Sequence, residues 1–205
     1  MPKLYTFGCS FTFGDGLPDI YPNHAQPSKL GWSYLLGDML GVEVVNCGVS
    51  GAGNNEILAK LLTSPLTADD YCVVLWSSFD RYEQYKFGLD IHIGFRQGIE
   101  RFTKENNIDH PFWIHNNRTR NWFAIQHASL YLAHKGVKFC TALGIVNPEP
   151  ITYPKPSIDI INFVDVDPID WIIDRGLDAD GHGGGHPGLE SQRLLAKLIY
   201  DRIEK

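Results

Sequence analysis

The sequence predicts a three-layer α/β/α sandwich built around a central parallel sheet of four or five strands. Short apolar runs alternate with segments whose apolar residues recur at helical spacing, which is typical of β–α–β units. With 43% hydrophobic and 20% charged residues, the 205-residue chain can build one substantial core. We find no internal repeat or linker, so residues 1–205 are expected to form a single domain.

The first half of the chain contains three predicted strands and two predicted helices. The strands cover residues 4–7, 42–47 and 71–76, and the third is apolar throughout, as expected for a central, buried strand. Apolar residues at 32, 35, 36, 39 and 40 predict a helix over 32–40, which Gly41 ends. A second helix is predicted over 56–62.

The second half is less regular. We expect a loop at 77–83, a helix near 94–105, a long helix over 111–135 and a fourth strand at 137–143. An apolar, acidic segment follows at 158–173, then a glycine-rich loop at 176–188 and a final amphipathic helix over 189–203. The resulting order resembles that of flavodoxin. The loops after the first three strands and the loop before the last helix are therefore expected to converge at one sheet edge.

Charge and composition argue against several classes of partner. The net charge is −6 and basic residues are not clustered, which disfavours binding to nucleic acid or to an anionic membrane surface. No apolar run is long enough to cross a bilayer, and residues 1–8 read as a core strand rather than a secretory signal, so a cytoplasmic location is expected. The four cysteines lack C-x-x-C spacing and are expected to be buried free thiols. Neither a metal nor a cofactor is expected.

The first strand runs into Gly8-Cys9-Ser10, which places the Ser10 hydroxyl at the edge of the sheet where ligands bind in open α/β folds. An ordinary strand-to-loop turn would also use Gly and Ser. Cys9 is an alternative nucleophile, ranked below Ser10.

A serine nucleophile needs a base, and the late glycine-rich loop offers one. His186 comes just before Pro187 and the final helix, which favours it over most of the eight histidines, with His182 as a weaker candidate. Asp180 or Asp178 is near enough in the loop to orient the imidazole.

The loop after the second strand can supply donors for an oxyanion. Small residues at Gly48, Gly51 and Gly53 let backbone N–H groups approach a ligand, and Asn54 and Asn55 add side-chain amides at a helix start. Helix capping is the alternative role for the two asparagines. The stretch matches the G-x-G-x-x-G dinucleotide fingerprint weakly, because Glu56 stands in place of the third glycine.

These motifs resemble those of the SGNH (GDSL-like) hydrolases, which are esterases and acylhydrolases on a flavodoxin-like sandwich. Gly8-Cys9-Ser10 with Gly14 resembles the first block, residues 46–51 (N-C-G-V-S-G) the second, and His186-Pro187 the fifth. The resemblance implies that Ser10 is the nucleophile, that His186 is the base, and that Gly51 donates a backbone N–H to the oxyanion.

Two positions depart from the family pattern. The third block reads Ser77-Ser78-Phe79-Asp80, so the asparagine that would donate to the oxyanion is replaced by Phe79, and Asn54, Ser77 or Ser78 would have to substitute. The family's aspartate three residues before the histidine is Gly183 here, which leaves a triad through Asp180 or Asp178, or a Ser–His dyad.

The predicted function is hydrolysis of a small or carbohydrate-linked ester, such as an O-acetyl ester, through an acyl-enzyme. Trp76, Arg81 and His182 are candidate substrate contacts, although Arg81 can equally pair with Glu83. One alternative is a non-catalytic SGNH-like ligand-binding module with a degenerate third block. A metal site made by His182, His186 and Asp180 is the lowest-ranked alternative.

Overall fold

The computed structural model describes residues 1–20, 25–79, 81–86, 89–93, 104, 110–144, 163–164, 172, 174–177 and 183–204. In chain order, its elements are β1 (Lys3–Gly8), α1 (Ser10–Phe13), α2 (Trp32–Leu40), β2 (Glu43–Asn46), α3 (Asn54–Thr63), β3 (Tyr71–Trp76), β4 (Tyr82–Lys86), β5 (Leu89–Ile93), α4 (His110–Lys135), β6 (Lys138–Leu143), β7 (Phe163–Val164), β8 (Arg175–Leu177), β9 (Gly183–Pro187) and α5 (Leu189–Ile203).

Five of the strands form one parallel sheet in the order β2-β1-β3-β6-β7. Leu4 of β1 pairs with Val44 of β2 on one side and with Tyr71 of β3 on the other. This is the flavodoxin-like strand order, and it confirms the predicted α/β fold class. The strands run in one direction, so β1, β2, β3 and β6 all end at the same edge of the sheet.

The helices cover both faces of this sheet. Helix α2 packs against α5, and α3 packs against α4. The two central strands, β1 and β3, are almost entirely buried between these layers, which is why their sequences are apolar runs rather than alternating patterns. The side chains of Leu4, Phe7, Trp32, Leu75 and Trp76 are fully buried in the same hydrophobic cluster.

A buried glutamine joins two of these helices. The backbone N–H of Trp32, at the start of α2, donates to the Oε1 atom of Gln192 in α5 at 2.9 Å. Both residues are fully buried. A hydrogen bond that satisfies the first turn of a helix from a distant element fixes how the two helices meet.

The carboxylate of Asp174 supports the start of α5. It accepts hydrogen bonds from the backbone N–H groups of Glu190 and Ser191 at 3.1 and 2.7 Å. Burial alone would raise the pKa of Asp174, but these hydrogen bonds and that of the Ser191 hydroxyl outweigh it and lower the pKa below 3.8. Asp174 therefore fixes the segment before α5 to the helix N-terminus.

Within the described residues, two hairpins depart from the sequence-based expectations. Part of the expected loop at 77–83 belongs to β4, which pairs with β5 in an antiparallel ladder. Most of the expected glycine-rich loop at 176–188 forms the antiparallel pair β8–β9. Glycine has a low intrinsic strand propensity, so this hairpin depends on its contacts rather than on its composition. Most of the helix expected near 94–105 falls outside the described residues.

Cys9, Cys72 and Cys140 are buried, Cys47 is half-buried, and all four are free thiols. Among the described helices, none combines the length and hydropathy that a bilayer span requires.

Candidate active site

Ser10 lies at the carboxyl edge of the sheet, where β1 passes into α1. Its side chain is buried, with 3% of the residue exposed. The polar contact recorded for its hydroxyl within the described part of the chain is the Sγ atom of Cys9, at 3.9 Å. Ser10 begins the single turn of α1, so its own N–H group lies at the helix N-terminus and is not used within the helix.

The loop after β2 is held against α1. Asn46 donates through Nδ2 to the carbonyl of Thr12 at 2.7 Å and accepts from the N–H of Gly48 at 2.8 Å. The N–H of Val49 donates to the carbonyl of Gly8 at 3.0 Å. This places the N-C-G-V-S-G segment beside Ser10. Gly51, the last residue of this segment, lies at an exposed turn with φ +78°, and its N–H has no hydrogen-bond partner among the described residues.

A tight turn after α1 brings the carboxylate of Asp15 to the same edge. Gly14 and Gly16 flank it with φ values of 91° and 85°, which L side chains rarely adopt. The N–H of Asp15 donates to the carbonyl of Ser10 at 3.0 Å. The hydroxyl of Ser50, in the loop after β2, donates to the Oδ2 atom of Asp15. The turn after α1 and the loop after β2 are thus joined at this carboxylate.

His186 reaches this place on the hairpin β8–β9. The hairpin docks on the same turn: a Cβ atom added at Gly176 would lie 2.4 Å from the carbonyl oxygen of Gly16. The imidazole contacts the ring of Phe11 edge-on, with centroids 5.8 Å apart. Its Nε2 atom lies 3.9 Å from Oδ2 of Asp15. The sheet edge therefore brings the α1 turn begun by Ser10, the loop containing Gly51 and the side chain of His186 together.

Burial lowers the pKa of His186 below its usual 6.5, Asp15 opposes this, and the guanidinium groups of Arg81 and Arg175 lower it further. The net result is an imidazole that favours its neutral form. A neutral imidazole has a free nitrogen lone pair and can accept a proton.

The segment after β3 is fixed by a cluster of asparagines. Asn54 accepts from the N–H of Ser77 at 2.7 Å and donates both to the carbonyl of Ser77 at 3.1 Å and to Oδ1 of Asn121 at 2.5 Å. The carbonyl of Phe79 accepts from Asn117 and Asn121 at 2.5 and 3.3 Å. These bonds connect the end of β3 to α3 and to α4.

The Asn54 amide was expected either to donate to an oxyanion or to cap a helix. In the structure both of its amide hydrogens are directed to Ser77 and Asn121, so it holds the backbone instead. Phe79, in place of the family's asparagine, is 3% exposed and packs edge-on against Trp122, with ring centroids 5.0 Å apart.

The other candidate residues lie in different surroundings. Trp76 is fully buried in the core, which leaves no surface for a substrate to contact. Arg81 is 6% exposed and donates from Nη1 to the carbonyl of Ala52 at 2.8 Å. Asp178, Asp180 and His182 lie outside the described residues, as does Asp80, the last residue of the third block. Among the described residues, no hydrogen bond joins Ser10 to His186.

Sequence reasoning missed Asp15, Ser50, Asn117 and Asn121. The two asparagines of α4 are four residues apart, and this spacing places them on one helix face. Asp15 and Ser50 gave no such signal, because each sits in a loop whose partner is known only from the fold. Within the described residues, no group of three or more His, Cys, Asp or Glu side chains is arranged to hold a metal ion.

No protein-family model matches the chain, and no curated protein matches it in sequence. Its fold does resemble solved structures. TesA superposes with a TM-score of 0.56 at 17% identity over 98% of each chain. A carbohydrate esterase, described as having divergent catalytic and non-catalytic binding functions in its active site, gives a TM-score of 0.55 at 12% identity, over 99% of this chain and 64% of that one.

The acetyl xylan esterase Est2A from the rumen bacterium Butyrivibrio proteoclasticus gives a TM-score of 0.52 at 14% identity, over 99% of this chain and 63% of that chain. Identities this low compare folds rather than activities. The neighbours are esterases of the GDSL/SGNH type, and the strand order and edge loops are those expected from the sequence motifs. The chain therefore has the fold of the SGNH hydrolases.

Proposed function

We propose that this chain is a serine ester hydrolase that works through an acyl-enzyme. Ser10 attacks the ester carbonyl, and His186 removes the proton from its hydroxyl and later delivers it to the leaving alcohol. Water, activated by the same imidazole, then releases the acid. The sequence-based proposal assigns the orientation of His186 to Asp180 or Asp178.

The observation that carries the proposal is the position of His186 against the turn that Ser10 begins. The imidazole contacts Phe11, the residue after Ser10, and lies 3.9 Å from Asp15, whose N–H is bonded to the Ser10 carbonyl. The residues proposed as nucleophile and base, which come from opposite ends of the sequence, thus lie on neighbouring segments of the fold. In structures without substrate, catalytic hydrogen bonds are often long and shorten when the substrate binds.

The backbone N–H groups of Ser10 and Gly51 are the proposed oxyanion donors. The first belongs to the N-terminus of α1, and the second has no partner among the described residues. Phe79 is buried in the core and Asn54 is hydrogen-bonded to Ser77, so no side chain is assigned as a third donor beside these two backbone groups. Loss of one such donor lowers the rate of other enzymes by about 10²–10³, so we expect a slow hydrolase.

The proposed substrate is a small or carbohydrate-linked ester, such as an O-acetyl group. Two of the similar structures are a carbohydrate esterase and an acetyl xylan esterase, which supports this class. Arg81 and His182 are retained as candidate substrate contacts, Arg81 because its guanidinium is close enough to affect the pKa of His186.

The test is hydrolysis of p-nitrophenyl acetate, together with labelling by a fluorophosphonate probe. The wild-type protein should hydrolyse the ester and be labelled at Ser10, and Ser10→Ala should lose both properties while unfolding at the same temperature. Cys9→Ala is the matched control because it alters the neighbouring side chain and should keep the label. Full activity of Ser10→Ala would exclude the mechanism.

A non-catalytic ligand-binding module is the second candidate. The buried position of Phe79 and the absence of a Ser10–His186 hydrogen bond among the described contacts favour it. It predicts that the probe does not label the protein and that an acetylated oligosaccharide nevertheless binds, as measured by calorimetry.

A further inference from the structure

The carboxylate nearest to His186 in the described structure belongs to Asp15, a residue without a role in the SGNH motifs quoted above. We propose that Asp15 is a positioning residue that stabilises the protonated form of His186 during ester hydrolysis. This inference rests on the proposed function. The two side chains meet at 3.9 Å between Nε2 and Oδ2, and only 9% of the Asp15 side chain is exposed. Gly183 stands where the family's aspartate would be.

The position of Asp15 is fixed from three directions. Its N–H donates to the carbonyl of Ser10, and the positive φ values of Gly14 and Gly16 shape the turn around it. Ser50 donates a hydroxyl hydrogen to Oδ2, the same oxygen that faces His186. The hairpin that carries His186 then packs directly on Gly16. One turn therefore sets the positions of the carboxylate and of the imidazole relative to Ser10.

The charges around His186 define what Asp15 has to do. The guanidinium groups of Arg81, in the segment after β3, and of Arg175, in β8, both disfavour protonation of the imidazole. Phe11 of α1 contributes an uncharged ring. Among the residues that the structure describes, Asp15 is the anion recorded beside the imidazole. An anion is needed there because a half-buried imidazolium that two guanidinium groups also disfavour is otherwise poorly stabilised.

The Oγ–H proton of Ser10 moves to His186 as the bond from Oγ to the acyl carbon forms and the carbonyl electrons become the oxyanion. The imidazolium then returns that proton to the leaving alkoxide as the C–O bond breaks. Asp15 keeps its negative charge throughout and lowers the energy of the imidazolium state.

Asp15→Asn tests the proposal, because it keeps the shape of the side chain and removes its charge. An opposite charge within about 4–6 Å changes a protonation equilibrium by about tenfold to a thousandfold, so kcat should fall by that factor with little change in KM. Ser50→Ala removes the hydrogen bond to Oδ2 of Asp15 by a change at an exposed residue. It should reduce kcat by a smaller factor than Asp15→Asn does. Asp38→Asn, at an exposed position on α2, is the control and should leave kcat unchanged.

The titration of His186, followed by NMR of its imidazole, gives a readout independent of turnover. Asp15→Asn should move the pKa of His186 downwards, and a merely structural role would leave it in place. If Ser10 is labelled in the wild-type protein but Asp15→Asn and Ser50→Ala keep wild-type kcat and titration, the role of Asp15 is excluded and the proposed function stands. If the wild-type protein is neither labelled nor active, the proposed function fails, and an unchanged His186 titration in both variants would still exclude the charge coupling.

Discussion

Phe79 stands where the SGNH pattern has an asparagine, and its side chain packs in the core instead of offering a hydrogen-bond donor. Its ring meets Trp122 of α4 edge-on, and its carbonyl is held by Asn117 and Asn121. Aromatic pairs in this geometry add about 0.5–1.5 kcal/mol beyond the area they bury. The segment after β3 is therefore fixed to α4 through Phe79 itself, and an asparagine could not replace it without loss.

An asparagine in place of Phe79 should therefore destabilise the fold. We expect Phe79→Asn to lower the free energy of unfolding by about 3–5 kcal/mol, the range found when a buried phenylalanine is truncated. Phe123→Asn, at a position 55% exposed on α4, is the matched control and should change it by about 0.5 kcal/mol. Urea unfolding of the two variants measures both values, and equal stabilities would contradict the packing role of Phe79.

The pKa of His186 predicts how the reaction should depend on pH. Since burial and two arginines lower its pKa below 6.5 against the opposing effect of Asp15, the acidic limb of the kcat/KM profile should have its midpoint below pH 6.5. Activity should rise with pH through that midpoint, as the imidazole loses its proton. A midpoint at or above 6.5 would show that the described surroundings do not govern the base.

The lowered pKa of His186 also makes the stability of the fold depend on pH. The unfolded chain binds a proton at His186 at a higher pH than the folded chain does, so this residue makes the fold less stable as the pH falls below 6.5. Asp174 acts in the same direction at lower pH, because its contribution is present above pH 3.8 and disappears as the pH falls through its lowered pKa.

Among the elements, the hairpin β8–β9 is one of two hairpins that the sequence did not predict. Its glycines give no strand signal, and what holds it is the approach of Gly176 to the backbone of Gly16 and the bond from Arg175 Nη1 to the carbonyl of Gly185 at 3.0 Å. A glycine-rich strand can lie this close to another backbone because it lacks side chains.

This contact predicts a pair of opposite outcomes. Gly176→Ala would place a Cβ atom 2.4 Å from the Gly16 carbonyl oxygen, so the hairpin must move and His186 with it. Gly185→Ala, in the partner strand, meets nothing within 4 Å and should be tolerated. We expect Gly176→Ala to lower ester hydrolysis by about tenfold or more, since small misplacements of a catalytic group cost about that much or more. Equal rates for the two variants would contradict the docking.

For the regular elements, the sequence was sufficient. The bounds of α2, β3 and α5 agree with the predicted residues 32–40, 71–76 and 189–203. Apolar residues mark these elements because the two helices bury one face against the sheet and β3 is buried on both faces. The expectation of a single domain over residues 1–205 remains a prediction.

The site was only partly accessible to the same reasoning. Ser10, Gly51 and His186 stand at positions that strand ends and glycines mark in the chain, and the fold brings the segments that carry them to one edge. Asp15 could not be found in that way, because its contact with His186 depends on where a distant hairpin docks. Which carboxylate lies beside a histidine is decided by packing, whereas sequence distance favours Asp180 and Asp178, which lie outside the described residues.

At the scale of the whole molecule, the cysteines report on the core. Burial raises the pKa of Cys72 well above its usual 9.0, with the Cys47 and Cys140 thiols adding to the effect, and raises that of Cys140 to about 12. Burial also raises the pKa of the half-buried Cys47 thiol. A thiol must ionise to react, so burial in the core should make these three cysteines slow to react at neutral pH.

Native protein should therefore react with a thiol reagent such as DTNB at no more than one cysteine, Cys47, and slowly at neutral pH. Addition of denaturant should expose all four thiols in one step, because Cys9, Cys72 and Cys140 belong to the same hydrophobic cluster. Mass spectrometry of the labelled peptides identifies the reacting residues. Fast labelling of Cys72 or Cys140 under native conditions would contradict the packing of the central strands.

The link between Trp32 and Gln192 has a consequence for how the molecule is made. It joins residues 160 positions apart, and the His186 hairpin likewise docks on a turn near the opposite end of the chain. Contacts of such long range close late in folding, because loop entropy is lost before they form. A chain emerging from the ribosome would therefore pair its first strands well before the residues that complete the sheet edge are synthesised. The onset of ester hydrolysis would then mark the moment at which folding is complete.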